Sequence, residues 1–250
     1  MDIQLSKTIS YVLRHGPHEF GVELDDEGWV ELDKLYTALA KHSRFKTVTV
    51  QDIETIIRES NKQRFELKNN KIRAFYGHSI KKKIHRSSVV PPSILYHGTS
   101  PEAAKLIFEK GQGLLPMGRQ HVHLASTIKT AIITGRRKAR KPVILIVDVV
   151  AALGHVKFYA GNEDIWLAEP VQVEFLSRFE PSKVVVSEGI GGTWHYHLSF
   201  ENSIATSLCS KQTMASNLSR NSWGIKSHLN ERYCNECISI EQSVISFINS

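Results

Sequence analysis

The chain has 250 residues, 41% hydrophobic and 23% charged, a balance that excludes a disordered polymer and supplies one large core or two small ones. Its net charge of +7 favours an anionic partner such as a nucleic acid. No run nears the roughly 20 apolar residues that span a bilayer, and the opening MDIQLSK has no secretory pattern, so a membrane-free, reducing compartment is expected: cytoplasmic, or nuclear in a eukaryote.

Leu5, Ile9, Val12 and Leu13 recur at helical spacing, so a first helix should run from near Asp2 to Arg14-His15, where Gly16-Pro17 stops it. The helix dipole alone accounts for two cationic side chains at that end. Gly28-Trp29-Val30 leads into a second helix with Leu35, Ala38 and Leu39 inward. Thr49-Val50-Gln51-Asp52 has the pattern of a capping box ahead of a third helix, with Ile53, Ile56 and Ile57 inward. Arg64 to Leu67 and Ile72 to Tyr76 read as strands joined through Asn69-Asn70, since asparagine tolerates the positive φ of a tight hairpin. Three helices and a hairpin predict a winged-helix lobe over residues 1–88. That architecture serves nucleic-acid binding and plain protein contacts alike.

Val89-Val90-Pro91-Pro92-Ser93 reads as an extended linker. Beyond it the spacing predicts strands at 94–97, 121–124, 143–150 and 171–176, with helices at 101–109 and 127–134. The whole chain is therefore expected to be α+β, its second lobe covering 89–180. Neither Gly111-Gln112-Gly113 nor Gly189-Ile190-Gly191 has the third glycine of a dinucleotide fingerprint. Residues 181–250 suggest strands at 184–186 and 194–200 and regain periodicity only at 238–248, so they read as an appended tail of unknown order.

The cysteines Cys209, Cys234 and Cys237 are too few and odd in number for a disulfide framework. Cys234 and Cys237 have half the spacing of a zinc site, with His228 the nearest further ligand, so no metal is expected. The basic runs Lys81 to Arg86 and Arg136 to Lys141 read equally as solvated loops or as anion contacts. Other polar positions are harder to explain as structure. They are Arg14, His15, Arg64, the strand end His97-Gly98-Thr99, and Arg119 with His121 and His123, the two histidines falling on one strand face. Glycine at 98 would let a ligand approach the backbone. Arginines and histidines from separate elements can converge on one phosphate.

The segments LSKTISYVLRHGP (5–17), GVELDDEGWVELDKL (21–35), QRFEL (63–67), IRAFYGHS (72–79), ILYHGTS (94–100), GRQHVHLAS (118–126), KPVIL (141–145) and VEFL (173–176) run in unbroken order. Through them, over about residues 3–178, the chain resembles the NAD-dependent RNA 2'-phosphotransferase family. The resemblance implies a winged-helix lobe followed by an ADP-ribosyltransferase-like lobe of two short sheets that holds NAD. It implies a catalytic set at Arg14, His15, Arg64 and Arg119, an NAD site at His97, Gly98, Thr99, His123 and Val173, and RNA-phosphate contacts at Arg73, His78 and Ser79. The implied reaction moves an internal 2'-phosphate, as on a spliced tRNA, to NAD. It yields 2'-OH RNA, nicotinamide and ADP-ribose 1'',2''-cyclic phosphate, with no metal and a monomeric protein. Two positions depart from the family pattern: Ala125 stands where serine is usual, and Asp164 where a turn glycine is usual. Two other readings stay open: an ADP-ribosyltransferase capping terminal phosphates of RNA or DNA, and a non-enzymatic nucleic-acid binder.

Overall fold

The computed structural model describes residues 3–59, 63–180, 183–190, 195–201, 203–209, 211–218, 220–223 and 232–248. The chain divides into two units: 1–89 with 115–122 and 157–170, and 90–114 with 123–156 and 171–250.

In the first unit, α1 (Ile3–Arg14) buries Leu5, Ile9, Val12 and Leu13, the face their spacing predicts. Burying each such side chain contributes about 1.5–3 kcal/mol. Strand β1 (Val30–Glu31) leads into α2 (Leu32–Ala40), and α3 (Val50–Glu59) follows. The capping box is formed: Asp52 Oδ2 accepts from the Thr49 backbone N–H at 2.8 Å, and Thr49 Oγ1 accepts from the Asp52 N–H at 3.2 Å. β2 (Phe65–Lys68) and β3 (Lys71–Ala74) make the expected hairpin, with Asn69 and Asn70 at φ 50° and 56°. β1 pairs along the other edge of β3, giving the order β1-β3-β2. Helices and sheet close over Leu13, Leu35, Ile53, Phe65 and Ile72.

In the second unit, β4 (Ile94–Thr99) is central. Next come α4 (Pro101–Glu109), capped by the Ser100 hydroxyl, then β5 (Val122–Ala125) and α5 (Ile128–Gly135), capped by Thr127. β6 (Val143–Asp148) runs antiparallel to β4, with Tyr96 opposite Ile146. The strand expected to reach residue 150 stops at Asp148. Its carboxylate accepts from the Ala151 N–H at 3.0 Å and caps the short α6 (Val149–Ala152) instead.

The chain then returns to the first unit as the hairpin of β7 (Phe158–Ala160) and β8 (Ile165–Ala168). Asp164 sits there without a positive φ. Asn162 closes the turn, its Oδ1 accepting from the N–H groups of Asp164 and Ile165 at 3.1 and 2.9 Å, so the position does not require glycine.

Back in the second unit, the strand expected at 171–176 is replaced by a single bridge of Val171 to Leu114 and a 3-10 turn over Val173–Phe175. The turn brings β9 (Leu176–Arg178) alongside β6. Described residues from Val184 to Ile240 are built into the same core. β10 (Val184–Gly189), β11 (Tyr196–Phe200), β12 (Ser203–Ser207) and β13 (Thr213–Ala215) form an antiparallel sheet in the order β12-β11-β10-β13, followed by α7 (Asn235–Ile248). Val184, Val186, Leu198, Phe200 and Ile240 pack with Ile94, Tyr96, Ile128 and Ile132. Trp194, at the start of the strand expected at 194–200, lies outside the described residues. Among the described residues no helix is long and apolar enough to cross a membrane.

Candidate active site

Arg14 is the last residue of α1, placed by the same turn whose Leu13 anchors the core. Its guanidinium carbon lies 5.3 Å from the ring centre of Tyr76 and 6.0 Å from that of Phe65. Its Nη2 donates to the Arg64 carbonyl at 3.3 Å, and its Nε is buried without a hydrogen-bond partner. Burial lowers its pKa below the ordinary arginine value; Tyr76 opposes that shift, while the guanidiniums of Arg64 and Arg119 add to it. Among the described residues no carboxylate acts on it. The charges of Arg64 and Arg119 thus both act against the buried Arg14 guanidinium, a strain that an anion beside it would relieve.

Arg119 belongs to this unit because residues 115–122 pack with the N-terminal segment. It closes a turn in which its N–H donates to the Pro116 carbonyl at 3.2 Å and Met117 holds a positive φ of 56°. Gln120 fixes the turn: its N–H donates to the His78 carbonyl at 3.0 Å, and its side chain donates to the carbonyls of Ile80 and Lys82 and accepts from the Ile84 N–H.

His15 Nδ1 lies 2.8 Å from the Ser79 hydroxyl oxygen. The Ser79 N–H donates to the Arg14 carbonyl at 2.9 Å, so the Gly77-His78-Ser79 loop is laced to the end of α1. Burial, then the charges of Arg14 and Arg119, lower the His15 pKa. The unit thus gathers Arg14, His15, Arg64, Arg119 and Ser79.

The other two residues expected at the phosphate stand apart. His78 is 4% exposed, and burial with the charges of Arg86, Arg14, His121 and His15 pushes its pKa down to about 3. It is a neutral packing group beneath the loop, not an open contact. Arg73 donates from Nε to Glu66 Oε2 at 2.7 Å and covers the Trp29 ring at 4.3 Å, so its charge is already matched. Two cations of the run 81–86 are likewise committed: Lys82 pairs with Asp26 at 2.9 Å, and Arg86 donates to the carbonyls of Phe75 and Ala160. Tyr76 and Gln120 were not foreseen as site residues. Both lie in segments that carry the resemblance, IRAFYGHS and GRQHVHLAS, but neither has a periodic signal that would have singled it out.

In the second unit, His97 of β4 donates from Nδ1 to the His123 carbonyl of β5 at 2.8 Å, because a carbonyl can only accept. Burial, with the charge of Lys138 and against that hydrogen bond, holds its pKa down to about 4. The ring is neutral at pH 7, and its Nε2 is an acceptor. Gly98 meets a different need from the ligand approach expected of it. A Cβ there would lie 2.1 Å from the Ala131 carbonyl oxygen, so the glycine lets α5 pack onto β4. Thr99 is 2% exposed. Val173 is half-buried in the 3-10 turn before β9, and His121 packs edge-on against Tyr159 at 5.0 Å in the first unit. Ala125 is buried in the second unit's core.

Guanidiniums, a hydroxyl and an imidazole gathered in one unit are groups of the kind that bind phosphate-like anions. The family model described as "RNA 2'-phosphotransferase, Tpt1 / KptA family" matches residues 1–170. A probable RNA 2'-phosphotransferase of Acetivibrio thermocellus is 45% identical over 178 residues, 71% of this chain and 96% of that one. One from Bacillus thuringiensis subsp. konkukian is 47% identical over 174 residues, covering 69% and 93%. A third, from Rhizobium leguminosarum bv. trifolii, is 40% identical over 179 residues, covering 71% and 94%. The chain belongs to the RNA 2'-phosphotransferase family.

Proposed function

We propose that the chain removes an internal 2'-phosphate from RNA by transferring it to NAD, with tRNA carrying a splice-junction 2'-phosphate as the substrate class. The products are 2'-OH RNA, nicotinamide and ADP-ribose 1'',2''-cyclic phosphate. The observation that supports this reading most is the buried Arg14 guanidinium, on which the charges of Arg64 and Arg119 act and, among the described residues, no carboxylate does.

The three guanidiniums are the clamp on the phosphate. Charge that builds on the phosphate oxygens during transfer strengthens their hold, which is how fixed donors lower a barrier. Ser79 donates to His15 Nδ1, leaving the Nε2–H to hydrogen-bond a phosphate oxygen or to pass its proton to the departing ribose oxygen. The winged-helix reading of the N-terminal helices and hairpin gives the RNA its carrier.

NAD supplies the ribose carbon and hydroxyl that receive the phosphate. The second unit fits it in one specific respect: neutral His97, with Nδ1–H committed to the His123 carbonyl, offers Nε2 as acceptor to a ribose hydroxyl. His123 and Val173 complete that reading, with Gly98 and Thr99 supporting the strand behind it.

The test is incubation of the full chain with NAD and two oligonucleotides, one with an internal 2'-phosphate and one with a 5'-phosphate. The expected result is 2'-OH RNA and the cyclic phosphate from the first, and no stable adduct on the second. A stable ADP-ribose cap on the 5'-phosphate with an untouched 2'-phosphate would replace this reading by the capping activity. RNA binding without release of nicotinamide would leave only a binder.

A further inference from the structure

The family match ends at residue 170, and the relatives are covered nearly end to end by about 70% of this chain. The sheet β10–β13 and helix α7 therefore lie beyond the matched segment, and their chemistry is this chain's own.

Within them, one imidazole and three thiols point at a common centre. His197 is on β11, Cys209 follows β12, Cys234 precedes α7, and Cys237 is in the first turn of α7. One ligand atom from each lies within 4.8 Å of all the others. His197 Nδ1 is 3.3 Å from Cys209 Sγ and 3.7 Å from Cys237 Sγ, and Cys209 Sγ is 3.7 Å from Cys234 Sγ.

Those lengths can be compared with a tetrahedral site. With Zn–S of about 2.3 Å and Zn–N of about 2.0–2.1 Å, a regular tetrahedron has S···S edges of about 3.8 Å and N···S edges of about 3.6 Å. The two 3.7 Å contacts fall close to those edges, the 3.3 Å contact is somewhat shorter, and every remaining pair lies within 4.8 Å. Three thiols stacked on an imidazole only as hydrogen-bonding partners would be a weak and donor-crowded core, since S–H is a poor donor.

Two backbone donors reach the sulfurs. The Cys237 backbone N–H is directed at the Cys234 sulfur, and the Leu198 N–H at the Cys237 sulfur. The start of α7 adds the positive end of a helix dipole. Cys237, His197 and Cys209 are buried, so negative sulfurs there require a cation. Thiolate-rich tetrahedral sets select zinc among the divalent ions, and four protein ligands leave no open position for catalysis.

We propose that His197, Cys209, Cys234 and Cys237 hold one structural zinc ion. The site pins β11, the turn after β12 and the start of α7 together. It does so against Tyr96 of β4, whose hydroxyl pKa is raised by burial and by the neighbouring Cys237 and Cys209. The strand so buttressed carries His97 on its opposite face. The partial motif at 234–237 thus finds its other two ligands on β11 and in the turn after β12, far away in sequence. His228, the candidate nearest in sequence, lies outside the described residues.

The test uses the full chain purified from metal-replete cells. About one equivalent of zinc per chain by mass spectrometry is expected, and cobalt exchanged into the protein should show thiolate charge-transfer and tetrahedral ligand-field bands. Chelation should expose all three cysteines to alkylation, and Cys209→Ser or Cys237→Ser should lower retained zinc tenfold or more. Zinc below about a tenth of an equivalent in folded wild-type protein would overturn the proposal. So would an octahedral cobalt spectrum, or a disulfide joining two of the three cysteines. The wild-type measurements decide the matter even if the serine variants do not fold.

Discussion

His15 Nδ1 sits 2.8 Å from the Ser79 hydroxyl, joining the end of α1 to a loop 64 residues later in the chain. The hydroxyl orients the imidazole, while the Ser79 backbone N–H holds the Arg14 carbonyl regardless of side chain. Ser79→Ala should therefore keep the fold and lose turnover by about tenfold, roughly 1.4 kcal/mol of transition-state stabilisation. Ser79→Thr should recover most of it. Steady-state kinetics with 2'-phosphorylated RNA checks this, and an unchanged kcat in Ser79→Ala would remove the positioning role.

His78 links the same loop to acid stability. Its pKa falls from 6.5 to about 3, so the unfolded chain takes up the proton first as pH drops. Its contribution is complete above pH 6.5 and is lost progressively as pH falls towards about 3. Between pH 6.5 and about 5 the loss should be of order 2 kcal/mol, at about 1.4 kcal/mol per pH unit. His78→Gln should flatten that part of the profile. Urea midpoints for both proteins across this range test it, and identical acid slopes would contradict the buried neutral state.

Arg73 was expected on RNA, yet its guanidinium is matched by Glu66 and lies over Trp29. Arg73→Ala should cost stability, about 1–2 kcal/mol for the half-buried pair and ring contact, and leave RNA affinity within about twofold. Denaturation and titration with a fluorescent RNA separate the two effects. A large affinity loss at unchanged stability would return Arg73 to the RNA surface.

Local chemistry was readable where one segment supplies its own reason. The capping box at Thr49-Asp52, the asparagine hairpin and the buried stripe of α1 need no distant partner. For Gly98 the structure supplies a packing reason that the sequence does not show: its space is taken by the Ala131 carbonyl, a contact set by how α5 packs on β4. The strands expected at 184–186 and 194–200 overlap β10 and β11, but their place in the core was not legible, because buried strand positions carry Ser187, Ser199 and Thr213. Ser187 and Ser199 bond each other at 2.7 Å, and Ser199 bonds Thr213 at 3.2 Å, so inward and outward faces look alike. In the candidate site, Arg14, His15, Arg64 and Arg119 were identified through resemblance, since a solvated arginine and a clamping one have the same sequence pattern. The return of residues 115–122 to the first unit, which brings Arg119 to Arg14, depends on Gln120 anchoring the 78–84 loop and has no periodic signature.

The central claim is that three guanidiniums hold one RNA phosphate during its transfer. The most direct measurement is NAD-dependent turnover of an internally 2'-phosphorylated RNA by wild type, Arg64→Ala and Arg119→Ala, with circular dichroism confirming intact folds. Loss of one fixed donor to a charged transition state costs about 2.7–4 kcal/mol, so each variant should fall at least about a hundredfold. Turnover within a few-fold of wild type in both variants would contradict the account.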